Sequence, residues 1–137
     1  VCANPDFHVI LPSGARGYMP GCIAAMYEEL GGDVTYFGKP HASAFAASLE
    51  LLGGATPPSR VLHVGDSLKH DIAGANAAGV HSLFVASGIH ADELSIPEGG
   101  SVPEGASGDE LSAGALDAVL EGYGIRPTHT TQAFRWE

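Results

Sequence analysis

The sequence predicts an α/β fold with a mainly parallel sheet and flanking helices, and three observations carry that expectation. Short apolar runs alternate with segments whose apolar residues recur at helical spacing. One run, Arg60–Val64, is continuous in the manner of a strand buried in a parallel sheet. It leads through Gly65-Asp66-Ser67 into a helical segment whose Ala75 and Gly79 are small enough for close packing on a sheet.

Taken in order, Val1–Ala3 begins an apolar run that the turn signal Asn4-Pro5-Asp6 stops. Phe7–Leu11 is a second run, ended by Pro12-Ser13-Gly14. Ile23, Met26, Tyr27 and Leu30 then mark a helix between Pro20-Gly21 and Gly31-Gly32. Val34–Phe37 reads as a short strand closed by Gly38. Pro40 suits a first helical turn, and Phe45, Leu49 and Leu52 continue a helical stripe to Gly53-Gly54. After the central Arg60–Val64 strand comes a helix through Ile72, Ala75, Asn76 and Gly79, then a strand over Ser82–Val85. The Gly-, Pro-, Ser- and Glu-rich stretch 96–108 reads as a flexible loop, and Leu111–Tyr123 as a last helix. The tail carries Phe134 and Trp136, which are expected to pack back on the body. No internal repeat and no second domain is visible, so residues 1–137 are read as one unit.

Composition narrows the partners. A formal net charge of −10 with only six Lys and Arg argues against nucleic acid and anionic membrane, both of which recruit basic residues. No apolar run approaches the roughly 20 residues that span a bilayer. The two cysteines, Cys2 and Cys22, are too few for a disulfide framework and show no zinc spacing, which suggests a cytoplasmic or other reducing compartment.

Open α/β sheets bind ligands beyond the carboxyl ends of their strands. Three polar turns are candidates for that edge: Asn4-Pro5-Asp6, Gly38-Lys39-Pro40 and Gly65-Asp66-Ser67. Asp66 and Asp71 together suit Mg²⁺, a hard cation that takes oxygen ligands and keeps several waters. The same two residues also suit a plain helix N-terminus, one as cap and the other complementing the dipole. Lys39, fixed between Gly38 and Pro40, can present an ammonium to a phosphoryl oxygen and to a site carboxylate. The seven histidines show no metal-ligand spacing. His63 reads as a hydrogen-bonded core residue, and His70 as a residue shaping the site entrance.

These turns in this order, with Gly65-Asp66-Ser67 continued by Asp71 and by Ile72 to Gly79, resemble the haloacid dehalogenase (HAD) superfamily. The likeness is greatest to its class II, capped phosphatases, and it runs from about Val1 to Gly88. It implies a Rossmann-like core and a Mg²⁺-dependent phosphomonoesterase working through an aspartyl-phosphate. By that resemblance Lys39 stabilises the nucleophile and the phosphate, and Asp66 binds the metal. Asp71 helps to hold the metal shell or Lys39, Asn4 and Asp6 stand near the substrate, and Ser67 supports the metal's waters.

The sequence departs from the family in one respect: it contains no Asp-x-Asp, the stretch that carries the nucleophile and the general acid. The chain begins without Met inside an apolar run, and the family's first two strands and cap have no counterpart in it. It is therefore expected to be the C-terminal half of a HAD core, inactive and unstable alone. The missing half would come in cis or as a separate chain, and the substrate would be a small phosphorylated metabolite. The other expectation is a non-catalytic HAD-like docking subunit of a larger assembly.

Overall fold

The computed structural model describes residues 1–96 and 111–134, and the stretch 97–108 and Trp136 lie outside them. Near the start, β1 (His8–Ile10) and β2 (Arg16–Tyr18) form an antiparallel hairpin, His8 facing Tyr18. The single run expected over Phe7–Leu11 is thus one arm of a pair. Its turn is closed by the Leu11 N–H donating to the Ala15 carbonyl at 2.8 Å.

Helix α1 (Pro20–Glu29) follows, with Pro20 in its first turn, where a missing N–H costs nothing. Its apolar stripe does not face a core: Ile23 is 72 % exposed, and Met26, Tyr27 and Leu30 are exposed as well. The expected strand Val34–Phe37 reduces to one parallel bridge, Cys2 to Tyr36. Helix α2 (Ala42–Leu51) starts two residues after Pro40, because Gly38–His41 first close a turn through the His41 N–H and the Gly38 carbonyl.

The main sheet is parallel, in the order β3 (Leu62–Gly65), β4 (His81–Val85), β5 (His129–Thr131). Arg60 belongs to a 3₁₀ turn, so the strand is shorter than Arg60–Val64. It also lies at the edge of this sheet and not at its centre, with Leu62 49 % and Val64 40 % exposed. Among the described residues no ladder joins β3 to the Cys2–Tyr36 bridge.

The chain leaves β3 through Asp66 and Ser67 into a π-helical turn, Leu68–Ile72, that runs on as α3 (Ala73–Ala78). Two apolar clusters hold the body. Leu68, Ile72, Phe84 and Ala86 pack with Leu120 of α4 (Ala113–Tyr123). Phe45 of α2 packs with Ala75 and Val80. The small residues of α3 are what bring α2 close: a Cβ at Gly74 would lie 2.3 Å from the Phe45 ring. The tail adds β5, a strand too short to show a period. No described helix is long and apolar enough to cross a membrane.

Candidate functional site

Gly65 ends β3 at a point where only hydrogen fits, since a Cβ there would stand 2.2 Å from Asp71 Cγ. The close approach brings the Asp71 carboxylate against the strand end, where it is almost wholly buried. Both its oxygens are engaged. Oδ2 accepts the Ser67 N–H at 3.0 Å, while Oδ1 receives Lys39 Nζ at 2.5 Å and stands 3.0 Å from His63 Nε2.

Lys39 reaches this point because the Cys2–Tyr36 bridge seats its turn beside Asn4-Pro5-Asp6. The Cys2 N–H donates to the Thr35 carbonyl at 2.9 Å, and the Phe37 N–H to the Cys2 carbonyl at 2.8 Å. Asn4 is spent on the turn itself, its Oδ1 accepting the Asp6 N–H at 3.0 Å. Asp6 Oδ1 lies 3.2 Å from His70 Nδ1, which is also 3.0 Å from Ser67 Oγ. His70 thereby joins the first turn to the third.

Asp66 is aimed by the segment after β4. Its Oδ2 accepts the Ile89 N–H at 3.1 Å, and Gly88 leaves room for it, because a Cβ there would come within 2.1 Å of that oxygen. Among the described residues Asp66 Oδ1 has no hydrogen-bond partner. Asp6, Lys39, Asp66, Ser67, His70 and Asp71 all line one cavity of about 730 Å³, walled by the β1–β2 hairpin and by Ser87–Glu93. Three of the chain's six basic residues, Arg16, Lys39 and Lys69, border it together with Asp6, Asp66, Asp71, Asp92 and Glu93, so its lining mixes both signs of charge. Asn4 does not line it.

Electrostatics fixes the protonation of the pair. Burial disfavours the Lys39 charge, but the Asp71 hydrogen bond and the charges of Asp71, Asp6 and Asp66 outweigh it and raise its pKa. Burial likewise opposes the Asp71 charge, and the Lys39, His63 and Ser67 hydrogen bonds overcome it, so its pKa falls below the ordinary 3.8. Burial, against the opposing pull of Asp6 and Asp71, lowers His70 from 6.5.

The His70 and Asp71 shifts both lower stability on acidification, whereas the raised Lys39 pKa contributes stability that is lost only as pH rises above 10.5. A depressed His pKa makes the folded state resist protonation, so stability declines as pH falls below 6.5 toward the folded value. A depressed Asp pKa contributes stability above 3.8 that is lost as pH falls through the folded value. The urea midpoint of the full-length protein is expected to hold steady between about pH 7 and pH 9 and to drop on acidification through both ranges. A midpoint unchanged between about pH 7 and pH 5 would contradict the His70 assignment, and one unchanged between about pH 5 and pH 2 the Asp71 assignment.

The structure brings together Lys39, Asp66, Asp71 and Asp6, as the sequence suggested, but it turns Asp71 to Lys39 and His63. Among the described residues no group of three or more His, Cys, Asp or Glu is arranged to hold a metal. Sequence reasoning missed Gly88 and Ile89, although Ser87–Ile89 follow a strand at the same carboxyl edge and the crevice rule points to them. It also missed the partner of His63, which lies in another element.

The HAD-hydrolase-like family profile matches residues 36–101. Over 89 residues the chain is 34 % identical to the cardiolipin synthase (CMP-forming)/mitochondrial hydrolase fusion protein of Schizosaccharomyces pombe, spanning 58 % of this chain and 15 % of that protein. A haloacid dehalogenase-like hydrolase from Brucella suis superposes with a TM-score of 0.66 at 26 % identity, over 96 % of this chain and 42 % of its own. The p-nitrophenyl phosphatase of Archaeoglobus fulgidus shares the fold, with a TM-score of 0.63 at 23 % identity over 95 % of this chain and 41 % of its own. The chain therefore spans about two fifths of these solved structures and a smaller share of the curated relative.

Proposed function

We propose that this chain, a member of the HAD superfamily with the fold of its capped phosphatases, supplies the lysine and one metal ligand of a Mg²⁺-dependent phosphomonoesterase. One observation carries the reading: an ammonium held 2.5 Å from a buried carboxylate in the cavity that Asp66 lines, at the carboxyl end of β3. Phosphoryl transfer is mostly a matter of placing positive charge where negative charge develops. A lysine kept protonated and aimed by a buried Asp supplies such a charge without reorganising.

The donor set fits magnesium in part. Asp66 offers one carboxylate oxygen with no other described partner, and Mg²⁺ is commonly held by one or two carboxylates with waters and phosphate oxygens completing the shell. Asp71, with both oxygens occupied, holds Lys39 and not the metal. When bound, Mg²⁺ would neutralise charge on the phosphate. The Ile89 N–H keeps Asp66 turned toward the cavity, and Asp6 adds to the field that keeps Lys39 protonated.

The nucleophile and general acid would come from residues outside these 137, in cis or on a separate chain, since no Asp-x-Asp occurs among them. The unpaired edge of β3, with Leu62 and Val64 exposed, favours added strands there, and the bare α1 stripe favours an apolar partner. The substrate class is a small phosphorylated metabolite. The missing Asp-x-Asp also favours the second reading, a non-catalytic HAD-like subunit.

Magnesium binding by the full-length protein tests the proposal. Asp66→Asn is expected to weaken it by at least about tenfold, because loss of even a supporting group costs metal sites that much. Equal affinity in wild type and variant, measured by calorimetry, would remove Asp66 from the site.

A further inference from the structure

The geometry points to His63 as a positioning residue for Lys39, a role that rests on the phosphate-site reading above. His63 lies in β3, three residues before Asp66, and its Nε2 contacts the same Asp71 oxygen that takes the Lys39 ammonium. A carboxylate only accepts, so His63 donates its Nε2–H there. Two donors thus divide the space around one oxygen, while the Ser67 N–H holds the other.

The cavities on either side show what this division does. Asp71 opens on the large cavity with Asp66. His63 borders a second, smaller one of about 190 Å³ that Phe45, Leu49 and Leu62 also line. Lys39 borders both. An ammonium on a flexible four-carbon stem has three donors and no preferred plane, so nothing in Lys39 itself selects a side. The imidazole selects for it. His63 takes the approach to Oδ1 from the smaller cavity and leaves the Asp66 side to the lysine. Its own ring is locked edge-on against Phe45 at 5.2 Å, and Phe45 is in turn seated against Gly74 of α3.

The two lysines of the chain, Lys39 and Lys69, allow a test within one molecule. The folded full-length protein is acylated at a fixed pH with an amine-reactive ester, and the Lys39/Lys69 modification ratio is read by mass spectrometry. In wild type the paired ammonium of Lys39 keeps its proton and reacts slowly. In His63→Leu the ammonium is free to leave the Asp66 side for the space the imidazole held, and the ratio is expected to rise about three- to tenfold, on the scale of one hydrogen bond's strength. In His63→Gln, whose amide can donate from about the place of Nε2, it is expected to stay within about twofold of wild type.

A packing role would reverse the order, since Leu fills the apolar surroundings better than Gln. That reversal, or a ratio unchanged in both variants, overturns the proposal. Circular dichroism checks each variant's fold. Should His63→Leu not fold, His63→Asn, one methylene shorter, takes its place, and an Asn ratio no higher than that of Gln counts against the proposal. The readout uses neither phosphate nor magnesium, so the role of His63 and the phosphate-site reading can fail separately.

Discussion

Lys39→Met in the full-length protein is expected to lower turnover of a generic phosphomonoester by about 10²–10³-fold, the usual cost of removing one preorganised charge from a developing oxyanion. Met keeps the length and much of the apolar stem, so the loss is one of charge and not of packing. Among the described residues Lys39 is the only Lys or Arg that contacts the buried Asp71, and Lys69, the other lysine at the cavity, lies 5.5 Å over the Tyr123 ring. Lys39→Arg should recover part of the activity, since the charge returns, but as a planar fork and not a compact ammonium. Turnover by Lys39→Met within about threefold of wild type would show that phosphate charge is met elsewhere.

The second large effect is on stability. Asp71→Ala is expected to cost about 3 kcal/mol, the low end for breaking a buried pair, because the Lys39 side chain is 40 % exposed and keeps some water. The loss has three parts. Lys39 and His63 lose their acceptor, the Ser67 N–H at the mouth of the π-helical turn is orphaned, and space opens under Gly65. Asp71→Asn should cost less, since an amide oxygen can still accept from Ser67. Urea unfolding of the full-length proteins measures both. A midpoint for Asp71→Ala equal to that of wild type would mean that the three donors find water freely and that the carboxylate holds nothing in place.

Much of the site was legible because its signals are local. A glycine that ends a strand, an Asp beside it and a lysine between Gly38 and Pro40 are turn chemistry, confined to a few consecutive residues. The parallel sheet was legible too, because β3 and β4 are apolar runs on either side of a small-residue helix. The antiparallel hairpin and β5 were not, because strands of three residues are too short to carry a period.

Patterns of apolar residues record that a face is buried somewhere, not what buries it. The stripe Ile23, Met26, Tyr27, Leu30 and the run Leu62–Val64 are apolar, yet the burial expected of them is not seen, and both are exposed here. Their partner is a matter of tertiary contact. The same holds for charge. The sequence by itself determined that Asp66 would stand at a strand end of an α/β sheet, with Lys39 and Asp71 at helix starts facing the same crevice. Only the tertiary structure decided that Asp71 serves Lys39 and His63 while Asp66 is left facing the cavity. Those choices depend on which donors lie within 3 Å of a buried oxygen, and Lys39 comes to Asp71 from 32 residues away. Hydrogen bonds are made across space, and spacing along the chain cannot encode a distance that only packing sets.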